Sequence, residues 1–231
     1  MIGVYDYTVI LTYLSLLSGC AGMIISMSGI GHPYLGMFCM MLSGLLDAFD
    51  GRVARTKKGR TQLERDFGVQ IDSLSDLVAF GVLPAAIGIS LLRSSPNFSD
   101  MPYRLEETGK MLWYPVLLIF IALLYVLAAM IRLAYFNATL GEREDEKRSR
   151  GSEYFTGLPV TTAALVFPLV LVLHHYLRFD LSLVYFGVML MMALLFLLNF
   201  KIKKPGRKTI LLLVLVGLIE LLMFVVIKVP H

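Results

Sequence analysis

Two strongly apolar segments meet in the sequence DAFDGRVARTKKGRTQLERDFGVQIDSLSD, residues 47–76, which carries an aspartate pair at each end. On a helix, Asp47 and Asp50 are three residues apart, and Asp72 and Asp76 are four residues apart. Such spacings place both members of a pair on one helix face, with Cβ atoms about 5–6 Å apart. Two helices that meet on these faces would bring four carboxylates together.

Four carboxylates at close range repel one another and resist desolvation, so they require a cation. Ligands that are all oxygen suit a hard divalent ion such as Mg²⁺ or Mn²⁺. A single buried aspartate could equally be the partner of an arginine. An ion or proton pathway also uses buried acids, but these acids cluster at one end of the spans. The stretch therefore predicts a metal site at a membrane surface.

The composition places the whole chain in a membrane. Of its 231 residues, 57% are hydrophobic and 16% are charged, and the mean hydropathy is +0.74, too apolar for an ordinary soluble domain. Residues 7–46 include no Asp, Glu, Lys or Arg, which is enough for two spans of about 20 residues each. The net charge of +4 favours contact with anionic lipid or substrate and not with nucleic acid.

The apolar pattern predicts an all-α fold, a polytopic membrane helix bundle with six to seven transmembrane helices. The whole chain, 1–231, is expected to form one integral membrane domain. The acidic Glu220 in the last segment leaves the number of spans open by one. The predicted apolar segments are 7–30, 33–55, 67–92, 111–136, 157–177, 181–200 and an extra C-terminal span at 208–228.

The connections between the predicted spans alternate between many and few basic residues. Sixteen of the 21 Lys and Arg fall in residues 52–65, 132–150 and 201–208. Basic connections stay on the cytoplasmic side of a membrane. We therefore expect an integral protein of the cytoplasmic membrane, with the aspartate-bearing ends and the N-terminus facing the cytoplasm. The very polar residues 141–153 are expected to be a cytoplasmic loop.

Small residues flank the aspartates. Gly51, Ala54 and Gly68 would allow close approach of a helix backbone or a flat ring beside the metal. Arg55, one turn beyond Gly51, offers a forked donor to a phosphate. This combination indicates a site for a pyrophosphate-linked nucleotide at the bilayer surface. A Gly-rich phosphate loop of the GxxxxGK[ST] type is absent from the sequence, so ATP or GTP hydrolysis is not indicated.

The pattern Asp47-x-x-Asp50-Gly51-x-x-Ala54-Arg55, followed by Gly68-x-x-x-Asp72-x-x-x-Asp76, resembles the signature of the CDP-alcohol phosphotransferases. In one respect it departs from that signature. Twelve residues separate Arg55 from Gly68, where the family usually has eight. The four extra residues, near positions 57–62, correspond to about one helical turn.

The resemblance implies a role for each position of the signature. Asp47, Asp50 and Asp72 would hold the divalent metal, Mg²⁺ or Mn²⁺. Asp76 would be the general base, and in some relatives it is also a metal ligand. The CDP pocket would be lined by Asp50, Gly51, Ala54, Arg55 and Gly68.

Further motifs indicate the acceptor alcohol. Residues 67–74, 80–85, 132–137 and 154–159 are similar to phosphatidylserine synthases of the membrane-embedded bacterial type. This likeness implies transfer of a phosphatidyl group from CDP-diacylglycerol to L-serine, with release of CMP. It also implies a homodimer among membrane lipids.

Two residues of the fourth segment are candidates for binding serine. Arg132 lies near the membrane and requires an anion, which the serine carboxylate would provide. It could instead be a helix-end arginine that reaches a headgroup phosphate. Asn137 could bind the polar groups of the amino acid or cap the end of the segment.

Two other functions stay open. The acceptor could be glycerol 3-phosphate, inositol or an inositol phosphate, although a phosphorylated acceptor would need more cationic side chains than Arg132. A function of another class is a cation-coupled transporter. Such a protein needs polar residues throughout the bilayer, and residues 155–177 and 181–200 carry no charge.

Overall fold

The computed structural model describes residues 3–28, 33–94, 113–141, 154–177, 182–203, 215–217, 219–220 and 222. Most of this part of the chain is helical. The helices are α1 (Ile10–Ser28), α2 (Pro33–Ala54), α3 (Gln62–Asp76), α4 (Leu83–Ser94), α5 (Trp113–Ala138), α6 (Ala163–Leu177) and α7 (Ser182–Leu197). A π-helical segment, Leu77–Val82, joins α3 to α4, and one 3-10 turn, Val160–Thr162, precedes α6.

The predicted helical bundle is confirmed within the described residues. Three helical stretches there are long and apolar enough to cross a membrane: Ile10–Ser28, Gln62–Ser94 and Pro115–Ala138. Shorter apolar helices cover Val160–Leu173 and Ser182–Leu197. The number of helices that cross the membrane stays a prediction. Residues 142–153 and most of the span predicted at 208–228 lie outside the described residues.

Helices α1 and α2 pack closely along their length because small residues face each other. A Cβ added to Gly22 would lie 2.7 Å from the Cβ of Cys39, so only glycine permits this approach. The two helices also exchange hydrogen bonds. The Ser43 hydroxyl donates to the Ser15 carbonyl at 2.9 Å, and the Ser15 hydroxyl donates to the Ser43 carbonyl at 3.3 Å. This packing fixes the end of α2, where the first aspartate pair lies.

The long helix that carries the second aspartate pair changes its winding immediately after Asp76. Pro84 has no N–H, so the Phe80 carbonyl loses its normal helical donor. The Tyr125 hydroxyl replaces that donor from α5, at 2.6 Å from the Phe80 oxygen. The Tyr185 hydroxyl donates to the Pro84 carbonyl at 2.9 Å. Side chains of α5 and α7 therefore satisfy the backbone where the helix departs from regular α geometry.

An aromatic core lies between α5, α6 and α7. We use this name for Tyr125, Phe167, Tyr185, Phe186 and Phe196, all of which are buried. The Tyr125 and Phe167 rings meet edge to face at a centroid distance of 5.6 Å, and the Phe167 and Tyr185 rings are 4.9 Å apart. Such ring pairs add stability beyond the apolar area that they bury.

One short antiparallel ladder was not anticipated by the all-α prediction. Strand β1 (Tyr154–Thr156) pairs with β2 (Lys201–Lys203). The Gly157 N–H extends the ladder by donating to the Phe200 carbonyl at 2.6 Å. The ladder ties the chain before α6 to the chain after α7, and it holds Gly157 and Leu158 against α5.

Candidate active site

Of the four aspartates that the spacing predicted to converge, three come together, from two helices. One carboxylate oxygen from each of Asp47, Asp50 and Asp72 lies within 4.8 Å of the other two. Mg²⁺ binds oxygen at about 2.0–2.1 Å, so opposite ligands of one ion are about 4.2 Å apart. Small side-chain movements would bring all three oxygens onto one ion. This all-oxygen triad fits a hard divalent cation and could hold one.

Thr12 on α1 links the two helices that supply the triad. Its hydroxyl donates to Asp50 Oδ2 at 3.0 Å, and its carbonyl accepts a hydrogen bond from the Ser75 hydroxyl at 3.3 Å. Thr12 is buried, so these contacts fix the orientation of Asp50 relative to α3. Thr12 was not predicted as a site residue. It belongs to the part of the sequence that resembles the phosphatidylserine synthases, but no spacing rule connects it to Asp50.

Asp76 lies outside the triad but shares a cavity with two of its members. It is buried, with 8% exposure, and it lines a cavity of about 320 Å³ together with Asp47 and Asp72. The remaining walls come from α3, α5 and the chain that follows β1. They are formed by Val69, Ser73, Arg132, Leu133, Phe136, Asn137, Leu140, Gly157, Pro159, Val160 and Thr161. The predicted base and both predicted serine-binding residues thus line one cavity.

Arg132 lines the same cavity as the acids and is itself buried. Its Nε donates to the Leu158 carbonyl at 3.1 Å. Gly157 has φ +70°, and a Cβ at this position would lie 3.1 Å from the Arg132 Cζ. The guanidinium therefore packs against the backbone at position 157, and only glycine, which has no side chain, leaves room for it. Arg132 also lines a second cavity, of about 240 Å³, between α5 and the end of α7.

Asn137 is paired with a serine of α3. Its Nδ2 donates to the Ser73 Oγ at 2.9 Å, and the same hydroxyl lies 3.1 Å from Asn137 Oδ1. Both residues line the cavity. The side chain thus points across to α3, whereas a cap would bind the last turn of α5. Ser73 was missed as a site residue because its importance depends on the packing of α3 against α5.

Apart from Asp50, which belongs to the triad, the residues predicted to bind CDP lie within about one helical turn of a triad member. Gly51 follows Asp47 by four residues, and Gly68 precedes Asp72 by four. The Arg55 guanidinium lies over Gly51, with Nη1 3.4 Å from the position of an added Cβ. None of Gly51, Ala54, Arg55 and Gly68 lines the 320 Å³ cavity. These four residues, predicted to bind the nucleotide, thus lie outside the cavity that Asp76, the predicted general base, lines.

The connection between α2 and α3 is tied to the N-terminal segment by an ion pair. Lys57 Nζ lies 2.5 Å from Asp6 Oδ2 and 2.8 Å from Glu64 Oε1. The hydrogen bond from Lys57, aided by Thr8, lowers the pKa of Asp6 to about 2. Because this pKa is below its ordinary value, the contact stabilises the fold above about pH 4, and the stabilisation is lost as the pH falls towards 2.

Comparison with known proteins identifies the family. The profile described as CDP-alcohol phosphatidyltransferase matches residues 8–199. The chain belongs to this family. The match includes the triad, Asp76, Arg132 and the chain that follows β1, so it confirms the family resemblance of the signature.

Individual relatives indicate which branch of the family is similar. The CDP-diacylglycerol–serine O-phosphatidyltransferase of Saccharomyces cerevisiae is 32% identical over 177 residues, 73% of this chain and 55% of the relative. The enzyme of that name from Mycobacterium leprae is 30% identical over 153 residues, 66% of this chain and 43% of its own.

An archaetidylserine synthase of Methanothermobacter thermautotrophicus is 32% identical over 158 residues, 68% of this chain and 53% of the relative. The chain thus spans about half the length of the relatives that it matches. The names of the first two relatives refer to phosphatidyl transfer to serine, and that of the third refers to the synthesis of archaetidylserine.

Proposed function

We propose that this protein transfers the phosphatidyl group of CDP-diacylglycerol to the hydroxyl of L-serine, giving phosphatidylserine and CMP. The proposal is supported chiefly by one cavity, which is lined by Asp47, Asp72 and Asp76 of the signature together with Arg132. The names of the relatives support the same acceptor. Membership of the phosphotransferase family favours this activity over a cation-coupled transporter.

The charges around the cavity favour serine over a phosphorylated alcohol. Arg132 is the one cation among the described residues that line it, and Asp47, Asp72 and Asp76 line the same cavity. One guanidinium can pair with one carboxylate in a two-pronged hydrogen bond. A phosphate monoester such as glycerol 3-phosphate carries nearly two negative charges and would face three aspartates with a single cation. Asn137 and Ser73 provide further polar contacts for the amino acid.

Asp76 is well placed to accept the proton of the serine hydroxyl. Its carboxylate lines the cavity one helical turn beyond Asp72, and a base must lie within hydrogen-bonding distance of the proton that it removes. As the proton passes to Asp76, the serine oxygen forms a bond to the phosphorus that bears the lipid. The bond between that phosphorus and the CMP oxygen breaks, and CMP leaves.

Asp47, Asp50 and Asp72 would hold the divalent ion, with Asp76 as a further ligand in our proposal. When bound, Mg²⁺ or Mn²⁺ would supply positive charge to the diphosphate and polarise its phosphorus. Thr12 keeps the Asp50 carboxylate turned towards α3. Asp50, Gly51, Ala54, Arg55 and Gly68 would bind the CDP moiety.

We also propose how the protein is placed in the cell. It would be one integral domain of the cytoplasmic membrane, with the aspartates facing the cytoplasm, where CDP-linked substrates and serine are found. The excess of Lys and Arg in the connections on that side supports this orientation. A homodimer is proposed from the family resemblance.

The activity can be tested by measuring CMP release from CDP-diacylglycerol by the purified protein in mixed micelles. Serine, glycerol 3-phosphate, inositol and inositol phosphate are offered separately, each with Mg²⁺, with Mn²⁺ and with EDTA. We expect release that depends on serine and on the metal. A parallel assay with an ether-linked archaeal donor separates the two lipid classes named for the relatives. A preference for another alcohol would contradict the serine assignment.

A further inference from the structure

The connection between α2 and α3 brings Arg60 back onto the signature glycine of α3. Arg60 directly precedes Thr61, whose hydroxyl accepts from the Glu64 N–H while the Glu64 carboxylate accepts from the Thr61 N–H. This capping box fixes the start of the helix. Arg60 Nη2 then donates to the Glu64 carbonyl at 3.0 Å. The guanidinium is thereby held along the first turns of α3.

The guanidinium covers Gly68. A Cβ added to Gly68 would lie 2.9 Å from Arg60 Nη2, and no other described atom of a neighbouring group is within 4 Å of it. The flexible side chain of Arg60 therefore occupies the space above Gly68. Gly68 and Asp72 are four residues apart on the same helix, so Arg60 lies about one turn from the triad.

Arg60 keeps one buried donor without a partner. Within the described part of the chain, its Nε is buried and makes no hydrogen bond. A buried donor that has lost water and gained no acceptor is unfavourable. A guanidinium with a vacant Nε–H presents a forked donor to an oxyanion, and phosphate oxygens match that geometry.

Two neighbouring cations, one in the connection and one in the last turn of α2, are engaged elsewhere. Lys57 is shared between Asp6 and Glu64. Arg52 lies over the Phe49 ring, with its Cζ 5.9 Å from the ring centroid. Arg60 differs from both because its guanidinium faces a residue of the signature and retains a donor.

We propose that Arg60 binds the diphosphate of the nucleotide donor, and that the longer connection between Arg55 and Gly68 supplies this cation. The assignment rests on the proposed function for its donor substrate. When the nucleotide enters, the guanidinium moves off Gly68, which frees the space above the glycine, and Nε and Nη2 pair with phosphate oxygens. Arg60 is then a donor-binding residue of this chain in addition to those of the signature.

The test compares Arg60→Gln and Arg60→Lys with Lys58→Gln, an exposed residue of the same connection. For Arg60→Gln we expect about a tenfold increase in the KM for CDP-diacylglycerol and in the dissociation constant of CDP with Mn²⁺. The KM for serine should stay unchanged. Arg60→Lys should retain part of the affinity through its charge, and Lys58→Gln should match the wild type.

CDP binding, measured by calorimetry on the full chain in detergent, distinguishes failure of the proposed function from failure of the role of Arg60. If the wild type binds CDP but shows no turnover with serine, the proposed function fails while a weaker affinity of Arg60→Gln still supports this role. If Arg60→Gln binds CDP as tightly as the wild type, or if the wild type binds no CDP, the role of Arg60 is wrong. An increase confined to the KM for serine would also contradict it. Thermal unfolding of each variant tests whether the fold is retained.

Discussion

The aspartate triad, on α2 and α3, and the aromatic core, between α5, α6 and α7, are stabilised in opposite ways. In the triad, three carboxylates lie within 4.8 Å of one another, so like charges are held together at a cost in free energy. In the aromatic core, the hydroxyls of Tyr125 and Tyr185 donate to backbone carbonyls and the rings pack edge to face. Changes in the two regions should therefore separate activity from stability.

The largest effect is expected at the triad. Asp72→Asn removes a charged ligand, and we expect CMP release to fall at least about a thousandfold, equivalent to about 4 kcal/mol in the barrier. The unfolding temperature in detergent should not fall, because one of three crowded charges is gone. Asp66→Asn is the matched control, since Asp66 is an exposed aspartate of the same helix. Near-normal turnover of Asp72→Asn would show that the ion does not depend on this residue.

A smaller effect is expected where the cavity wall meets the β-ladder. Gly157→Ala would place a methyl group 3.1 Å from both the Arg132 Cζ and the Leu198 carbonyl oxygen, at a φ of +70°. The guanidinium would have to move, so we expect the KM for serine to rise about tenfold, equivalent to about 1.4 kcal/mol. The KM for CDP-diacylglycerol should change little.

A matched control for this strain is available in the chain. Gly59 has φ +75°, and an added Cβ would meet nothing within 4 Å. Gly59→Ala therefore carries a similar backbone strain without a contact to Arg132. If Gly59→Ala raised the KM for serine as much as Gly157→Ala does, backbone strain alone would explain both increases. The increase in Gly157→Ala could then not be attributed to a displaced Arg132.

The smallest effect is expected in the aromatic core. Tyr125→Phe removes the donor that replaces the missing N–H of Pro84, and the Phe80 carbonyl would be left buried without it. We expect a loss of about 1 kcal/mol in the free energy of unfolding, measured by denaturant titration in micelles. Both KM values should stay unchanged. Tyr135→Phe on the exposed side of α5 is the control and should unfold like the wild type. A large change in KM with unchanged stability would contradict the separation of the two regions.

Much of the site was predictable because its spacing is local. Asp47 with Asp50, and Asp72 with Asp76, share helix faces by the geometry of a single helix. The predicted apolar segments that carry these aspartates, 33–55 and 67–92, are helical in the structure. The convergence of Asp47, Asp50 and Asp72 followed from the requirement that two such faces meet. The residue roles within the site stay predictions.

Other residues of the site could not be predicted because they depend on packing between distant parts of the chain. Thr12 reaches an aspartate 38 positions away, and Ser73 reaches Asn137 across 64 positions. Gly157 holds Arg132 only because β1 pairs with β2, more than 40 residues further along. None of these contacts leaves a periodic signal in the sequence.

The sequence by itself determined a helical membrane protein with two aspartate pairs on helix faces, since hydropathy and helical periodicity act over a few turns. The tertiary structure alone decided that three carboxylates form a triad, that Asp76 and Arg132 share one cavity, and that Arg60 covers Gly68. These outcomes depend on how closely α1, α2, α3 and α5 approach. That approach is set by small residues and interhelical hydrogen bonds between positions far apart in the chain.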